Sequence, residues 1–197
     1  RIFIIASVFD MLDGRVARLL NTTSEFGMHL DSLSDFVVFG AVPAFTLYLW
    51  MGKPQGNFFW IVIVLYVICS GLRLARFNSE LSERPSYAKN YFNGVPTPAA
   101  AFLILFPIAI EGYIETYELK SFDIIGFWIV FISIVMVSNL PTFSGKVFQI
   151  PKSYVIPMLI ILAILSNAII SNPIKGFIIL VLVYILLQLL LKMAYKL

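Results

Sequence analysis

Four aspartates in the first 35 residues have the type and spacing for metal-assisted chemistry. Asp10 and Asp13 stand three residues apart and Asp31 and Asp35 four apart, so each pair falls on one face of its own helix. The polar link Asn21-Thr22-Thr23-Ser24-Glu25 between them makes the two helices antiparallel neighbours, which brings the carboxylates together at similar depth. Unscreened, they would repel one another and be costly to desolvate near lipid. Divalent cations remove both objections. All-oxygen ligands with no Cys or His in the cluster favour Mg²⁺ or Mn²⁺ over Zn²⁺, and four carboxylates suffice for two ions about 3.5–4 Å apart. Salt bridges to Arg15 and Arg18 would account for two of these charges, not four.

Small residues flank the acids. Gly14 and Ala17 lie beside Asp13 and Asp10, and Gly27 precedes Asp31 by one turn. Such residues serve close helix packing in membranes, but next to carboxylates they also leave room for a bulky nucleotide. Arg18, one turn beyond Gly14, suits a diphosphate. His29 and Cys69 are each the only residue of their type. That excludes a His-rich metal site, a self-contained Ser-His-Asp triad and an internal disulfide.

The elements that must position these residues are apolar nearly throughout. Of 197 residues, 60% are hydrophobic and 13% charged, too little polar surface to cover a water-soluble globule. The expectation is an all-α, polytopic transmembrane helical bundle forming a single integral membrane domain over residues 1–197. Spans are predicted at 1–20, 25–50, 56–78, 94–112, 121–139, 151–169 and 173–192. An eighth is expected ahead of Arg1, because the chain starts without Met and enters an apolar run at once. With the link at 21–24 facing the cytoplasm, ten Lys and Arg residues collect on that side (Arg15, Arg18, Arg73, Arg76, Arg84, Lys89, Lys146, Lys152, Lys192 and Lys196) against four on the other (Arg1, Lys53, Lys120 and Lys175), in agreement with the positive-inside tendency. The net charge of +3 therefore signals orientation and contact with membrane lipids, and no nucleic-acid partner is expected. Pro43, Pro96, Pro98, Pro107 and Pro157 lie within or at the start of spans and mark kinks that neighbouring helices compensate.

The pattern Asp-x2-Asp-Gly-x2-Ala-Arg-x8-Gly-x3-Asp-x3-Asp from Asp10 to Asp35 resembles that of the CDP-alcohol phosphatidyltransferases. The resemblance implies that Asp10, Asp13 and Asp31 are metal ligands and that Asp35 is both a ligand and the general base. It also implies that Gly14 and Ala17 accept the cytidine and Arg18 the diphosphate of a CDP-linked lipid, beside Gly27.

Three further stretches are similar to the phosphatidylserine synthase branch of that family: Arg73-Leu74-Ala75-Arg76-Phe77-Asn78, Gly94-Val95-Pro96-Thr97-Pro98-Ala99-Ala100-Ala101, and Ser138-Asn139-Leu140-Pro141-Thr142-Phe143-Ser144-Gly145-Lys146. Thr97 stands where that branch more often has Ser. The implied reaction moves a phosphatidyl group to the hydroxyl of L-serine with release of CMP, at a site facing the cytoplasm of the cell membrane. Residues for the serine carboxylate or the lipid phosphate are expected among Arg73, Arg76, Asn78, Arg84, Lys89, Asn93, Ser138 and Lys146. The lipid can be diacyl or archaeol-type, and the family's habit allows a homodimer. Glycerol phosphate or inositol phosphate as acceptor is the nearest rival. A divalent metal-ion transporter is the rival of another class, and it requires polar residues continuing across the membrane.

Overall fold

The computed structural model describes residues 25–52, 57–81, 91–114, 121–143 and 171–195. The expected spans at 1–20 and 151–169 lie outside them. The other five are helical. Helix α1 (Glu25–Asp35) runs through a π-helical segment (Phe36–Ala41) into α2 (Val42–Met51), followed by α3 (Phe58–Leu81), α4 (Thr97–Ile114), α5 (Phe122–Val137) and α6 (Pro173–Tyr195). Phe26–Met51, Phe58–Ser79 and Thr97–Ile114 are long and apolar enough to cross a membrane, and Phe122–Val137 and Pro173–Gln188 are shorter apolar helices. Among the described residues the all-α expectation holds apart from one ribbon. There β1 (Tyr91–Asn93) pairs antiparallel with β2 (Pro141–Phe143), with Phe92 opposite Thr142.

Helical periodicity explains which faces meet. On α3 the buried positions Phe59, Val62, Ile63, Tyr66, Ser70, Arg73 and Leu74 recur at intervals of three and four and form one stripe. On α5 the stripe is Ile125, Ile129, Ile132 and Met136, and these two helices share the most extensive contact in the described bundle. Helix α4 lies along α6 and also meets α2 and α5. The outer faces carry exposed Leu49, Phe127, Phe131 and Ile134, a composition that suits contact with lipid tails.

Two prolines sit within apolar helical runs, and each leaves a carbonyl four residues earlier without its usual donor. In both cases an aromatic side chain from another helix supplies one. Tyr66 Oη donates to Phe39 O at 3.1 Å, opposite Pro43, and Trp128 Nε1 donates to Leu103 O at 2.9 Å, opposite Pro107. The compensation expected of neighbouring helices is thus visible atom by atom.

Candidate active site

Asp31 and Asp35 occupy the last turn and a half of α1. Asp31 is exposed and Asp35 half-buried. Gly27 lies one turn before Asp31 and is likewise exposed. Immediately after Asp35 the backbone widens into the π segment, closed by Val42 N–H donating to Val37 O. Such wide turns are enriched at functional sites. Gly40 allows a close approach there. A Cβ on it would lie 2.6 Å from Ser70 Oγ, while the Phe36 ring closes on Gly71. The end of the aspartate helix is thereby seated directly on α3.

Asp10, Asp13, Gly14, Ala17 and Arg18 lie outside the described residues, as do Arg84, Lys89 and Lys146. Among the described residues no group of three or more His, Cys, Asp or Glu side chains assembles. Asp31 and Asp35 furnish two hard oxygen donors on one helical face. That donor chemistry fits Mg²⁺ or Mn²⁺ in combination with further carboxylates.

The three stretches beyond the aspartates converge on one end of the bundle. Asn78, at the end of α3, donates through Nδ2 to Ser32 Oγ at 2.9 Å, and Ser32 in turn donates to Met28 O at 3.0 Å. This joins α3 to the helix between Asp31 and Asp35. Arg76 Nη1 donates to Val137 O at 2.8 Å and to Asn139 Oδ1 at 3.1 Å; both acceptors are uncharged. Arg73 Nη1 donates to Thr97 Oγ1 at 3.0 Å, and its guanidinium lies 5.7 Å from the centre of the Phe77 ring. Arg73 is buried, so it is no interfacial anchor reaching for headgroups. It is a cation held inside the protein by a hydroxyl and a ring face.

The ribbon completes the convergence. Gly94 N–H donates to Leu140 O at 2.8 Å, and Thr142 Oγ1 donates to Gly94 O at 2.6 Å. Gly94 has φ +73°, and a Cβ there would strike Met136 O and Ser138 O, so both conformation and space require glycine. Asn93 is paired through the backbone with Pro141. Ser138 caps the end of α5, its hydroxyl donating to Val135 O at 2.7 Å and accepting from Leu140 N–H at 3.4 Å.

Sequence reasoning selected Arg73, Arg76 and Asn78 but passed over the groups they hold: Thr97, Asn139 and Ser32. All three stand inside the quoted motifs. Ser32 lies one residue from Asp31 and therefore faces about 100° away from it, and its partner 46 residues distant has no local signature.

A sequence model described as CDP-alcohol phosphatidyltransferase matches residues 1–138. A Mycobacterium tuberculosis (strain CDC 1551 / Oshkosh) protein named CDP-diacylglycerol--serine O-phosphatidyltransferase is 37% identical over 172 residues, 85% of this chain and 59% of its own length. A Helicobacter pylori (strain J99) protein of the same name is 39% identical over 133 residues, 68% of this chain and 55% of its own length. A third, from Methanocaldococcus jannaschii, is 35% identical over 143 residues, 72% of this chain and 62% of its own length. The chain thus spans less than two thirds of the length of these relatives.

Proposed function

Because this chain belongs to the CDP-alcohol phosphatidyltransferase family, we propose that it transfers the phosphatidyl group of CDP-diacylglycerol, or the corresponding group of CDP-archaeol, to the hydroxyl of L-serine. The products are CMP and phosphatidylserine or its ether-lipid counterpart. The observation that carries this reading is the convergence of Arg73, Arg76 and Asn78 with Thr97, Asn139 and Ser32 beside the Asp31–Asp35 helix. It supports the reading because the helix that carries the buried Arg73 is tied through Asn78 to Ser32, between Asp31 and Asp35 of the transfer motif. Relatives named for serine as acceptor favour serine over glycerol phosphate or inositol phosphate.

In this reading Asp10, Asp13, Asp31 and Asp35 hold two Mg²⁺ or Mn²⁺ ions. When bound, such ions neutralise the diphosphate and stabilise charge on the departing phosphate. Gly14, Ala17 and Gly27 leave space for the cytidine, and Arg18 faces its diphosphate. Asp35 takes the proton from the serine hydroxyl as its oxygen forms a bond to the lipid-bearing phosphorus, and the bond to CMP breaks. Transfer is direct in this reading, since Cys69 lies outside the motif and His29, two residues from Asp31, faces away from the carboxylates on the helix. Arg73 and Arg76 supply positive charge for the serine carboxylate or the lipid phosphate, with Arg84, Lys89 and Lys146 as further basic groups and Asn78, Asn93 and Ser138 for orientation. The active end faces the cytoplasm, in line with the distribution of Lys and Arg.

A transport pathway gains no support. Among the described residues the buried polar or charged side chains are Ser70, Arg73, Thr97, Ser133 and Thr142, which include no carboxylate to continue the path across the membrane.

The test is a competition. Purified protein receives a CDP-linked lipid, Mg²⁺ or Mn²⁺, and equal serine, glycerol phosphate and inositol phosphate, and the lipids formed are identified by mass spectrometry. A metal-dependent serine lipid with stoichiometric CMP is the expected result. A glycerol phosphate or inositol phosphate lipid would replace the acceptor and leave the aspartate chemistry standing.

A further inference from the structure

The last helix carries a hydroxyl that the reaction just outlined does not use. Tyr184 Oη is buried and has no hydrogen-bond partner among the described residues. A buried hydroxyl left unsatisfied is disfavoured, and such groups in native proteins call for a reason. Phenylalanine would fill the same space without that cost.

The register of α6 against α4 brings Tyr184 to the level of Thr97, the residue that holds Arg73. Phe177 of α6 packs on Phe102 of α4, ring centroids 5.4 Å apart. Lys175, near the start of α6, lies over the ring of Tyr113 near the end of α4, 5.4 Å from its centre, so the two helices run antiparallel. From the Phe102–Phe177 contact, Thr97 is five residues back along α4 and Tyr184 seven residues onward along α6. At 1.5 Å per residue both are displaced about 7–11 Å in the same direction. Thr97 is the residue that holds Arg73 Nη1. Tyr184 thus stands at the level of the Arg73–Thr97 pair, and its hydroxyl makes no hydrogen bond to either. Phe177, Tyr184 and Ile185 pack against the core beside buried Val181, so the phenol is held from one helical face and water is kept from it.

We propose that Tyr184 is an acceptor-binding residue whose hydroxyl donates a hydrogen bond to the carboxylate of the amino-acid acceptor that Arg73 attracts. The inference rests on the serine reading given above. A phenol donating to a carboxylate makes a charge-assisted bond. In a site dried by apolar side chains that bond discriminates against any acceptor lacking the carboxylate, because the hydroxyl would then stay unpaired. Tyr184 lies beyond residues 1–138 matched by the family's sequence model. Acceptor choice would thus be supplied partly from outside the segment that carries the transfer motif.

The experiment compares wild type with Tyr184→Phe, using CDP-diacylglycerol, Mg²⁺ and either L-serine or serinol, which keeps the hydroxyl and amine but has no carboxylate. The variant is expected to raise KM for serine about tenfold, with kcat within about twofold, an unchanged KM for the CDP-lipid and an unfolding temperature at or above that of wild type. The preference for serine over serinol should shrink by the same factor. An unchanged serine KM, or equal losses with serine and serinol, overturns the inference while leaving the serine reading intact. A wild type that forms no serine lipid sinks that reading itself, and the carboxylate assignment with it. If Tyr184→Phe does not fold, Tyr184→Met is measured in its place against the same outcomes.

Discussion

At the scale of single residues, the candidate site combines an exposed and a half-buried acid on one helix with a buried cation on another. Asp35 is half-buried at the junction of α1 and the π segment, and its proposed role as base is separable from metal holding. Asp35→Asn should lower kcat by about 10²–10⁴-fold while retaining part of the CDP-lipid binding, measured by equilibrium binding of labelled substrate. Equal loss of both would make Asp35 chiefly a ligand. Arg76 tests the opposite property. Its two hydrogen bonds to the end of α5 predict that Arg76→Ala costs about 1.5–3 kcal/mol of stability, read as a lower unfolding temperature, whatever its effect on serine. The aspartates and arginines could be singled out in the sequence because charge inside an apolar chain is conspicuous, though Asp10 and Asp13 lie outside the described residues. Thr97, Asn139 and Ser32 were not, because a neutral hydrogen-bonding residue in a loop or helix end looks the same with or without a distant partner.

At the scale of elements, the helices follow from apolar periodicity and length, so their approximate bounds could be read from the sequence. The ribbon could not. Three-residue strands carry too little pattern to be distinguished from a turn, and their pairing depends on Gly94 fitting under Met136 O and Ser138 O. The two unusual glycines differ sharply in consequence. Gly94→Ala should prevent accumulation of folded protein, since strain and backbone clash combine. Gly52→Ala, with φ +81°, ψ −158° and nothing within 4 Å of the added Cβ, should cost about 1–3 kcal/mol from backbone strain alone; thermal unfolding in detergent distinguishes them. The proline devices make a second pair of variants. Trp128→Phe leaves Leu103 O without its donor and should destabilise by about 1–2 kcal/mol. In a Pro107→Ala background, where the backbone N–H is restored, the same change should cost much less.

At the scale of the molecule, the described helices align their polar ends. Arg73, Arg76, Asn78, the ribbon and the aspartate helix gather at one end of the bundle, while Tyr113 and Lys175 meet at the other. The proposed orientation predicts opposite labelling of the two ends. In a Cys69→Ser background, Ser79→Cys should react with a membrane-impermeant maleimide only from the cytoplasmic face, and Asn172→Cys only from outside. The reverse pattern would invert the topology without altering the chemistry. The π segment also bears on how such a chain tolerates insertions and deletions. Removing one residue between Val37 and Gly40 would let the backbone relax into ordinary α-helix, with hydropathy and span count untouched. Because the six residues of the π segment turn about as far as five α-helical ones, the aspartates would keep their phase relative to the Ala44–Leu47 face that anchors them, and only a second deletion would turn them by about 100°. A deletion scan of this stretch should therefore spare activity when one residue is removed and silence it when two are, with insertion and folding at normal yield in both and the defect of the second lying in rotational phase alone.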